Sequence, residues 1–294
     1  MKIDLSGKKA LIGGSSKGIG LGIASQLAES GASVCLMARN ESKLKEIVNQ
    51  LPNFENHSYL VVDFSNFEEY KIKIEEYLES NQVDILVNNT QGPPAGNSLS
   101  KDIDSYQEAF DLLFKSIVYT TSLIVPKMQK NKWGRIINVT SVSVKEPLNY
   151  LVLSNSIRSA VVAWAKSLSV DVGKDGVTVN SILTGYFDTE RIKELNKEKS
   201  KSLNISENEV LEKMKLVDVM PANYFDGDPS YKRYYNIKTF GAPGVVAIKS
   251  IDPKDNGKVI GKQWVAAEAA FSKAKVYNKK ILPPVIDKKF DKNT

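Results

Sequence analysis

The sequence has 294 residues, of which 42% are hydrophobic and 25% charged, and its net charge is +6. This composition indicates a globular protein with one large domain, or one domain and an appendage. The lysines are dispersed among acidic residues, which argues against a nucleic-acid partner. No apolar stretch is long enough to predict a membrane span, and residues 1–5 do not resemble a signal peptide. The single cysteine, Cys35, excludes an internal disulfide and a thiolate metal cluster, so we expect a cytoplasmic protein with no metal site.

The amino-terminal pattern predicts a strand, a turn and a helix. Lys9–Gly13 is a short apolar run, typical of a parallel strand that is covered on both faces. Ile19, Ile23 and Leu27 then recur every four residues, as on the buried face of a helix, and Gly31 is placed to end that helix.

The turn between this strand and helix has the glycine spacing G-x-x-x-G-x-G, which predicts a dinucleotide site. Glycines allow the backbone to approach a pyrophosphate closely, and the N–H groups and dipole of the helix start favour its negative charge. The predicted cofactor-binding residues of this turn are Gly14, Ser15, Ser16, Lys17, Gly18, Ile19 and Gly20.

The second predicted strand, Ser33–Ala38, ends in a basic residue that indicates which cofactor is used. An acidic residue after this strand would bind the adenosine ribose and repel a 2′-phosphate, whereas Arg39 would pair with that phosphate, and Lys17 would reinforce it. We therefore predict NADP rather than NAD. The alternative is that both cations are ordinary solvated surface residues.

The remaining pattern alternates strands with helices. It predicts an α/β fold of the Rossmann type, a doubly wound parallel sheet between two layers of helices. Polar residues fall at the carboxyl ends of the strands, where such sheets bind ligands: Asp63, Asn88, Asn89, Ser141 and Gly185. The predicted strands are 59–63, 85–88, 135–139 and 177–182, and the predicted helices are 41–51, 66–80, 103–130 and 154–172.

With the motifs Gly14–Gly20, Asn88–Asn89, Gly134–Asn138 and Thr140–Ser141 in order, residues from about 5 to 191 resemble the short-chain dehydrogenase/reductase family. The resemblance is closest to its 3-oxoacyl-carrier-protein reductase homologues. It implies a dinucleotide-binding core over 1–191, with lid helices and a divergent region over 192–294 that complete the same domain. It also implies a homo-oligomer, either a dimer or a tetramer.

The same resemblance implies roles for individual residues. Asp63 would lie near the adenine, Asn89 near the adenosine ribose, and Gly185 and Thr189 beside the nicotinamide. Thr184 stands where the family usually has proline, and Thr90 follows the asparagine pair in place of alanine.

The catalytic residues of the family are Asn, Ser, Tyr and Lys, and this chain keeps one of the four. Ser141 matches the serine. Ser154 stands thirteen residues later at the tyrosine position, Arg158 stands at the lysine position, and the asparagine position falls near Leu113. A subset of the family shares the Ser-x-x-x-Arg pattern together with a Val-Lys-x-Pro loop.

These replacements change the expected chemistry. Ser154 is a weaker acid than tyrosine, whereas Arg158 stays charged and favours an oxyanion without shuttling a proton. Tyr150, Lys145 or water would then supply the proton. For Tyr150 the alternative is a packed loop aromatic, and for Lys145 it is a solvated side chain. The predicted catalytic residues are Ser141, Tyr150, Ser154 and Arg158.

We therefore predict an NADP(H)-dependent oxidoreductase that acts on a small carbonyl or hydroxyl compound. Two alternatives remain at this point: a dinucleotide-binding regulatory protein with little turnover, and a non-redox dehydratase or isomerase on the same scaffold.

The predicted helix 154–172 carries an apolar stripe that fits either a subunit interface or a core helix: Ile157, Val161, Trp164 and Leu168. The resemblance also implies a lid in the charged helical stretch 191–215 and the family's last strand at Val259–Val265. The aromatic segments 223–229 and 231–235 would line a pocket or cover the sheet edge. The basic end of the chain is expected to form a partly extended tail.

Overall fold

The computed structural model describes residues 3–187 and 189–210 and the strands at 219–220, 234–239, 245–251 and 259–266. The chain divides into two compact units, residues 1–192 and 193–294. The statement that the second unit completes the same domain as the first stays a prediction.

The first unit contains a six-stranded parallel sheet with the strand order β3-β2-β1-β4-β5-β6. Helices flank this sheet, so the predicted Rossmann-type α/β fold is confirmed. The strands are β1 Lys9–Gly13, β2 Ser33–Ala38, β3 Ser58–Val61, β4 Ile85–Asn88, β5 Gly134–Ser141 and β6 Val177–Thr184. The helices are α1 Gly18–Glu29, α2 Glu41–Gln50, α3 Phe67–Ser80, α4 Ile103–Phe110, α5 Ser116–Lys130, α6 Val152–Val172 and α7 Glu190–Leu203, of which α7 extends into the second unit.

Two hydrophobic cores lie on the two faces of the sheet. Because side chains alternate along a strand, Leu11 of β1 packs in the core with α3, α5 and α6, whereas Ile12 packs in the core with α1 and α2. Both side chains are fully buried. The continuous apolar runs of the sequence thus reflect strands that are covered on both faces.

The predicted helix 103–130 is continuous but irregular. A π-helical turn, Asp111–Lys115, separates α4 from α5. Among the described residues, this is the one helical run that is long and apolar enough to cross a membrane by length and composition, a property that the sequence reading had not assigned to it. Half of its apolar window is buried within the fold, as in the core helix of a globular protein.

The predicted charged helical stretch 191–215 is helical over most of its described residues. Helix α7 ends at Leu203, and Asn204 has a φ of 51°, a left-handed conformation that interrupts an α-helix. Residues 207–210 are helical again, and residues 211–215 lie outside the described part.

The second unit contains a three-stranded antiparallel sheet with the order β11-β10-β9. The predicted strand at Val259–Val265 is present as β11, where it pairs with β10. The strands are β9 Tyr234–Thr239, β10 Val245–Ile251 and β11 Val259–Ala266, with the short strands β7 Tyr186–Phe187 and β8 Val219–Met220 before them. The aromatic segment 223–229, most of 231–235 and the basic tail lie outside the described residues.

Candidate functional site

The glycine turn packs against the end of β4 so closely that side chains are excluded. A Cβ atom on Gly13 would lie 2.2 Å from Asn89 O, and one on Gly20 would lie 2.3 Å from Gly14 O. Gly14 and Gly18 have φ values of 54° and 57°, which favour glycine. The predicted tight turn therefore matches the geometry, whereas the approach of its backbone to a pyrophosphate stays a prediction.

The Asn89 side chain, which was expected near the adenosine ribose, bridges to this turn. Its Nδ2 donates to Gly13 O at 3.0 Å and to Gly14 O at 3.3 Å. Neighbouring Asn88 is buried and donates to Asn138 Oδ1 at 2.9 Å, so it ties β4 to β5. A contact of Asn89 with a ribose stays a prediction.

Ser15 fixes the turn to β2. The side chain is fully buried; its hydroxyl donates to Ile12 O (3.0 Å) and accepts from the N–H of Met37 (3.0 Å). The Ser15 hydroxyl is therefore directed to the backbone of the sheet, while Lys17 and Gly18 form the exposed part of the turn.

Helix α1 begins without a side-chain cap, in contrast to three other helices of the unit. Asn40, Asn66 and Asp102 accept backbone hydrogen bonds at the starts of α2, α3 and α4, whereas Lys17, at the N-cap of α1, makes no such bond. Uncapped N–H groups at a helix start favour an anion. The start of α1 is thus suited to a pyrophosphate.

Arg39 lies at the end of β2, opposite Asp63, which follows β3. Arg39 Nη1 is 4.0 Å from Asp63 Oδ2, and the Arg39 side chain is 62% exposed. Partial burial opposes ionisation of Asp63, but hydrogen bonds from Ser65 and the charge of Arg39 outweigh it and hold the pKa of Asp63 below its usual value. The exposed cation is accessible to a cofactor phosphate.

Lys17 forms an ion pair with the start of α7. Lys17 Nζ lies 2.7 Å from Glu190 Oε2, and both side chains are well exposed. Next to this pair, a Cβ atom on Gly18 would lie 3.5 Å from Thr189 Cγ2, so residues 189–190 cover the glycine turn. Lys17 would have to leave Glu190 to reach the phosphate to which the sequence analysis assigned it.

At the other half of the sheet edge, Ser154 and Arg158 lie together on α6. Arg158 Nε donates to Ser154 Oγ at 3.2 Å, and Nη1 donates to Val139 O of β5 at 2.6 Å. Ser141 ends β5, two residues after Val139, and its Oγ accepts from the N–H of Ser143 at 3.1 Å. The structure thus groups three of the four predicted catalytic residues around the carboxyl end of β5.

Arg158 has an unusual electrostatic environment. Burial, together with the charge of Arg191, lowers the pKa of Arg158 to about 10. Arg191 Nη2 donates to Pro93 O, in the loop after β4, at 2.8 Å. Arg191 was not among the predicted site residues because the sequence reading took 191–215 as a charged lid, and the fold alone brings its cation close to Arg158.

The two candidate proton donors differ in their surroundings. Tyr150 is half-buried just before α6, and its carbonyl accepts from the N–H of Gly96 at 2.8 Å. Lys145 is exposed after a short 3₁₀ turn, Val142–Val144. At the asparagine position, Leu113 is fully buried within the π turn and has no polar group to offer.

The threonine that replaces the family's proline connects two strands. Thr184 Oγ1 donates to Thr140 O at 2.7 Å, and Thr140 Oγ1 donates to Ile182 O at 3.0 Å. These bonds hold β5 and β6 together beside Ser141. Gly185, which follows Thr184, is exposed.

The apolar stripe of α6 packs into the core. Val161 is fully buried, and Ile157, Trp164 and Leu168 pack against the cluster on the α3 and α5 side of the sheet. Trp164 also contacts Phe114 of the π turn edge to face, with a ring separation of 6.2 Å. The core interpretation of the stripe therefore accounts for these residues.

A cavity of about 400 Å³ lies away from this site, between α3 and α5. Leu78, Val83 and Lys127 are among the residues that line it. Val83 precedes β4, so the cavity opens at the amino edge of the sheet, opposite the glycine turn.

Comparison with known proteins identifies the family. The profile of the short chain dehydrogenase family matches residues 8–200. The chain belongs to this family. Its expected class, an NAD(P)-dependent oxidoreductase acting on carbonyl or hydroxyl groups, is confirmed by this membership and by its relatives.

Three family members illustrate the range of similarity. The 3-oxoacyl-[acyl-carrier-protein] reductase of Chlamydia pneumoniae is 32% identical over 67% of this chain and 80% of its own length. An uncharacterized oxidoreductase of Staphylococcus aureus strain USA300 is 33% identical over 63% of this chain and 80% of its own. L-Sorbose reductase from Gluconobacter frateurii, solved with NADPH and L-sorbose, is 30% identical over 73% of this chain and 83% of its own, with a TM-score of 0.66.

Proposed function

We propose that this protein is an NADP(H)-dependent oxidoreductase that reduces a carbonyl compound, or oxidises the corresponding alcohol, with Ser141, Ser154 and Arg158 at the reacting oxygen. NADP use agrees with the sequence-based prediction and is supported by relatives such as L-sorbose reductase, which was solved with NADPH. The family membership and the named reductases favour this function over a regulatory protein or a non-redox enzyme.

The observation that carries the proposal is the arrangement of one sheet edge. The uncapped start of α1 and the glycine turn lie beyond β1, while Ser141 and the Arg158 guanidinium lie at the end of β5. β4 lies between β1 and β5 in the sheet. A dinucleotide that extends along this edge, from the turn toward β5, would bring its nicotinamide end to the serines and the arginine.

The cofactor, when bound, supplies or accepts a hydride. During reduction, negative charge develops on the carbonyl oxygen, and a fixed cation with hydroxyl donors stabilises that charge. Ser154 Oγ accepts a hydrogen bond from Arg158 Nε, so the Ser154 hydroxyl proton can be directed toward the substrate oxygen. Ser141 Oγ accepts from Ser143 N–H, which leaves the Ser141 proton available in the same way.

We propose Tyr150 as the proton source rather than Lys145. Tyr150 lies four residues before Ser154, just ahead of α6, and its carbonyl accepts from Gly96 N–H, whereas Lys145 is exposed. A phenol is a much stronger acid than an aliphatic hydroxyl.

A matched pair of serine variants tests the function. Purified protein is screened for carbonyl-dependent NADPH oxidation, and Ser141→Ala is compared with Ser156→Ala, since Ser156 is exposed on α6. We expect Ser141→Ala to lower kcat by about 100-fold, the effect typical of a lost oxyanion donor, with an unchanged Kd for NADPH. Ser156→Ala should behave as wild type. Equal activity of the two variants would contradict the assigned site.

We also propose a cytoplasmic homo-oligomer. The single cysteine is buried in β2, as is typical of a protein in a reducing compartment. The oligomer is an expectation from the family, and light scattering on the purified full-length chain tests it. A monomer at micromolar concentration would contradict it.

A further inference from the structure

Two arginines converge beside the catalytic serines from different helices. Arg158 comes from α6 and donates to Val139 O at 2.6 Å, while Arg191, in the first turn of α7, donates to Pro93 O at 2.8 Å. Val139 lies near the end of β5, and Pro93 follows β4. Because β4 and β5 are neighbours in the sheet, both guanidinium groups lie at the same carboxyl edge.

This arrangement places two guanidinium groups close together. Burial and the nearby Arg191 cation both disfavour the charged form of Arg158. The start of α7 adds further positive potential, because the N-terminus of a helix carries partial positive charge. Among the described residues, no carboxylate forms an ion pair with Arg158. A bound anion would offset the cost of this arrangement.

Arg158 also has donors for a ligand. Arg158 has five N–H groups, of which its two hydrogen bonds use two. Gly92 lies beside the Arg191 guanidinium, since a Cβ atom on Gly92 would lie 3.4 Å from Arg191 Nε. Guanidinium groups match the planar carboxylate with paired hydrogen bonds.

We propose that Arg158 and Arg191 bind a carboxylate of the substrate, so that the enzyme acts on small oxo or hydroxy acids in preference to neutral ketones and alcohols. This inference rests on the proposed function, because it assigns a substrate class to the same site. Val139, which anchors Arg158, is two residues from Ser141, a spacing of about 7 Å along a strand. A 2-oxo or 3-oxo acid with its hydrogen bonds spans that distance, with the carboxylate at Arg191 and the Nη groups of Arg158, and the carbonyl oxygen at Ser141 and at Ser154, whose Oγ accepts from Arg158 Nε.

The test compares a charged and a neutral ligand of the same shape. Oxamate, an unreactive analogue of a 2-oxo acid, and its neutral methyl ester are titrated calorimetrically into the NADPH-saturated protein. The variants are Arg191→Gln, Arg191→Lys and a control, Lys193→Gln, which removes an exposed cation from the same helix. The Kd for NADPH is measured for each variant, and its melting temperature confirms folding.

We expect wild type to bind oxamate at least about 10-fold more tightly than the ester, as is usual for charge-assisted hydrogen bonds. Arg191→Gln should weaken oxamate binding by about 10- to 100-fold. Arg191→Lys should have an intermediate effect, because lysine keeps the positive charge but lacks the paired N–H donors of the guanidinium. Lys193→Gln should leave the oxamate affinity unchanged, and all variants should keep the NADPH affinity.

Three results would overturn the proposal: equal binding of oxamate and its ester, equal behaviour of Arg191→Gln and Lys193→Gln, or a loss of NADPH rather than oxamate affinity in Arg191→Gln. The last would assign Arg191 to the cofactor. Failure of the proposed function is seen separately, as absence of NADPH binding to wild type. Oxamate is then titrated into the protein alone, where binding that depends on Arg191 supports the carboxylate site and absence of binding overturns it.

Discussion

The two halves of the parallel sheet prepare the same ligand-binding edge by different means. Around β1–β3, the surface is made by backbone: the glycine turn, the close contact with the end of β4 and the uncapped start of α1. Around β4–β6, it is made by side chains, namely Ser141, Ser154, Arg158 and Arg191. A surface made by backbone admits few residue types, whereas a surface made by side chains can change while the fold stays the same. The family's glycine turn can therefore occur together with Ser154 and Arg158 at the positions of the family's tyrosine and lysine.

The largest effect is expected from a methyl group in the glycine turn. In Gly20→Ala, the new Cβ atom would lie 2.3 Å from Gly14 O and 2.7 Å from Asn89 Nδ2. We expect the free energy of unfolding to fall by about 3 kcal/mol, the upper part of the usual range for overpacking, and NADPH binding to be lost. Chemical denaturation and a cofactor titration measure both effects.

Gly22→Ala is the matched control on the same helix. Nothing lies within 4 Å of a Cβ atom at Gly22, and alanine is favoured over glycine inside a helix by about 1 kcal/mol. This variant should therefore be as stable as wild type or more stable. If Gly20→Ala were equally tolerated, the close approach at the turn would be disproved.

The second effect concerns the charge of Arg158. Its pKa is lowered to about 10, so the cation is present at neutral pH and is lost as pH rises through about 10. We expect kcat/KM to fall on the alkaline side of that value. Arg158→Met should lower kcat/KM at pH 8 by about 100-fold, the usual effect of losing one electrostatic stabiliser, and should reduce the alkaline decline to the part that the proposed proton donor contributes. An unchanged alkaline decline in Arg158→Met would assign it to another group.

The part of the sheet edge that is made by backbone could be predicted from the sequence more fully than the part that is made by side chains. The bounds of β1 and β2 were predicted correctly, because apolar runs closed by glycine or charge determine short buried strands. Ser141, Ser154 and Arg158 were predicted as site residues from their match to the spacing of the family's motif, and the structure groups them around the end of β5. Arg191 could not be found in this way, because its approach to Arg158 depends on where α7 begins in space, and no local pattern encodes that.

The π turn and the end of α7 show a second limit of sequence reading. Hydrophobic periodicity continues across Asp111–Lys115 because a π turn inserts a residue without interrupting the buried face. Asn204, with its left-handed conformation, follows the end of α7 and divides the predicted charged helical stretch 191–215 at a point that composition did not indicate.

A smaller effect is expected at Arg39, on the cofactor side. Arg39→Asp should weaken NADPH binding by about 10- to 100-fold, because repulsion replaces a charge-assisted pair with the 2′-phosphate. The affinity for NADH should change little. Lys43→Gln is the control, since Lys43 lies exposed on α2 and pairs with Glu46. A variant Arg39→Asp that still prefers NADPH would remove Arg39 from the phosphate site.

The smallest effect is expected from the ion pair between Lys17 and Glu190. Both side chains are exposed, so the pair contributes at most about 1 kcal/mol. Glu190→Gln should release Lys17 and tighten NADPH binding by up to about 5-fold, measured by fluorescence titration. Glu198→Gln, an exposed change further along α7, should have no effect. Weaker NADPH binding in Glu190→Gln would mean that Glu190 itself supports the cofactor.

The most direct test of the central claim is a titration of the purified protein with NADPH and with NADH, followed by nicotinamide fluorescence. A backbone-built turn with an exposed Arg39 predicts saturable binding of NADPH that is at least about 10-fold tighter than that of NADH. Absence of binding of either nucleotide would contradict the assignment of the glycine turn to a cofactor and, with it, the proposed oxidoreductase.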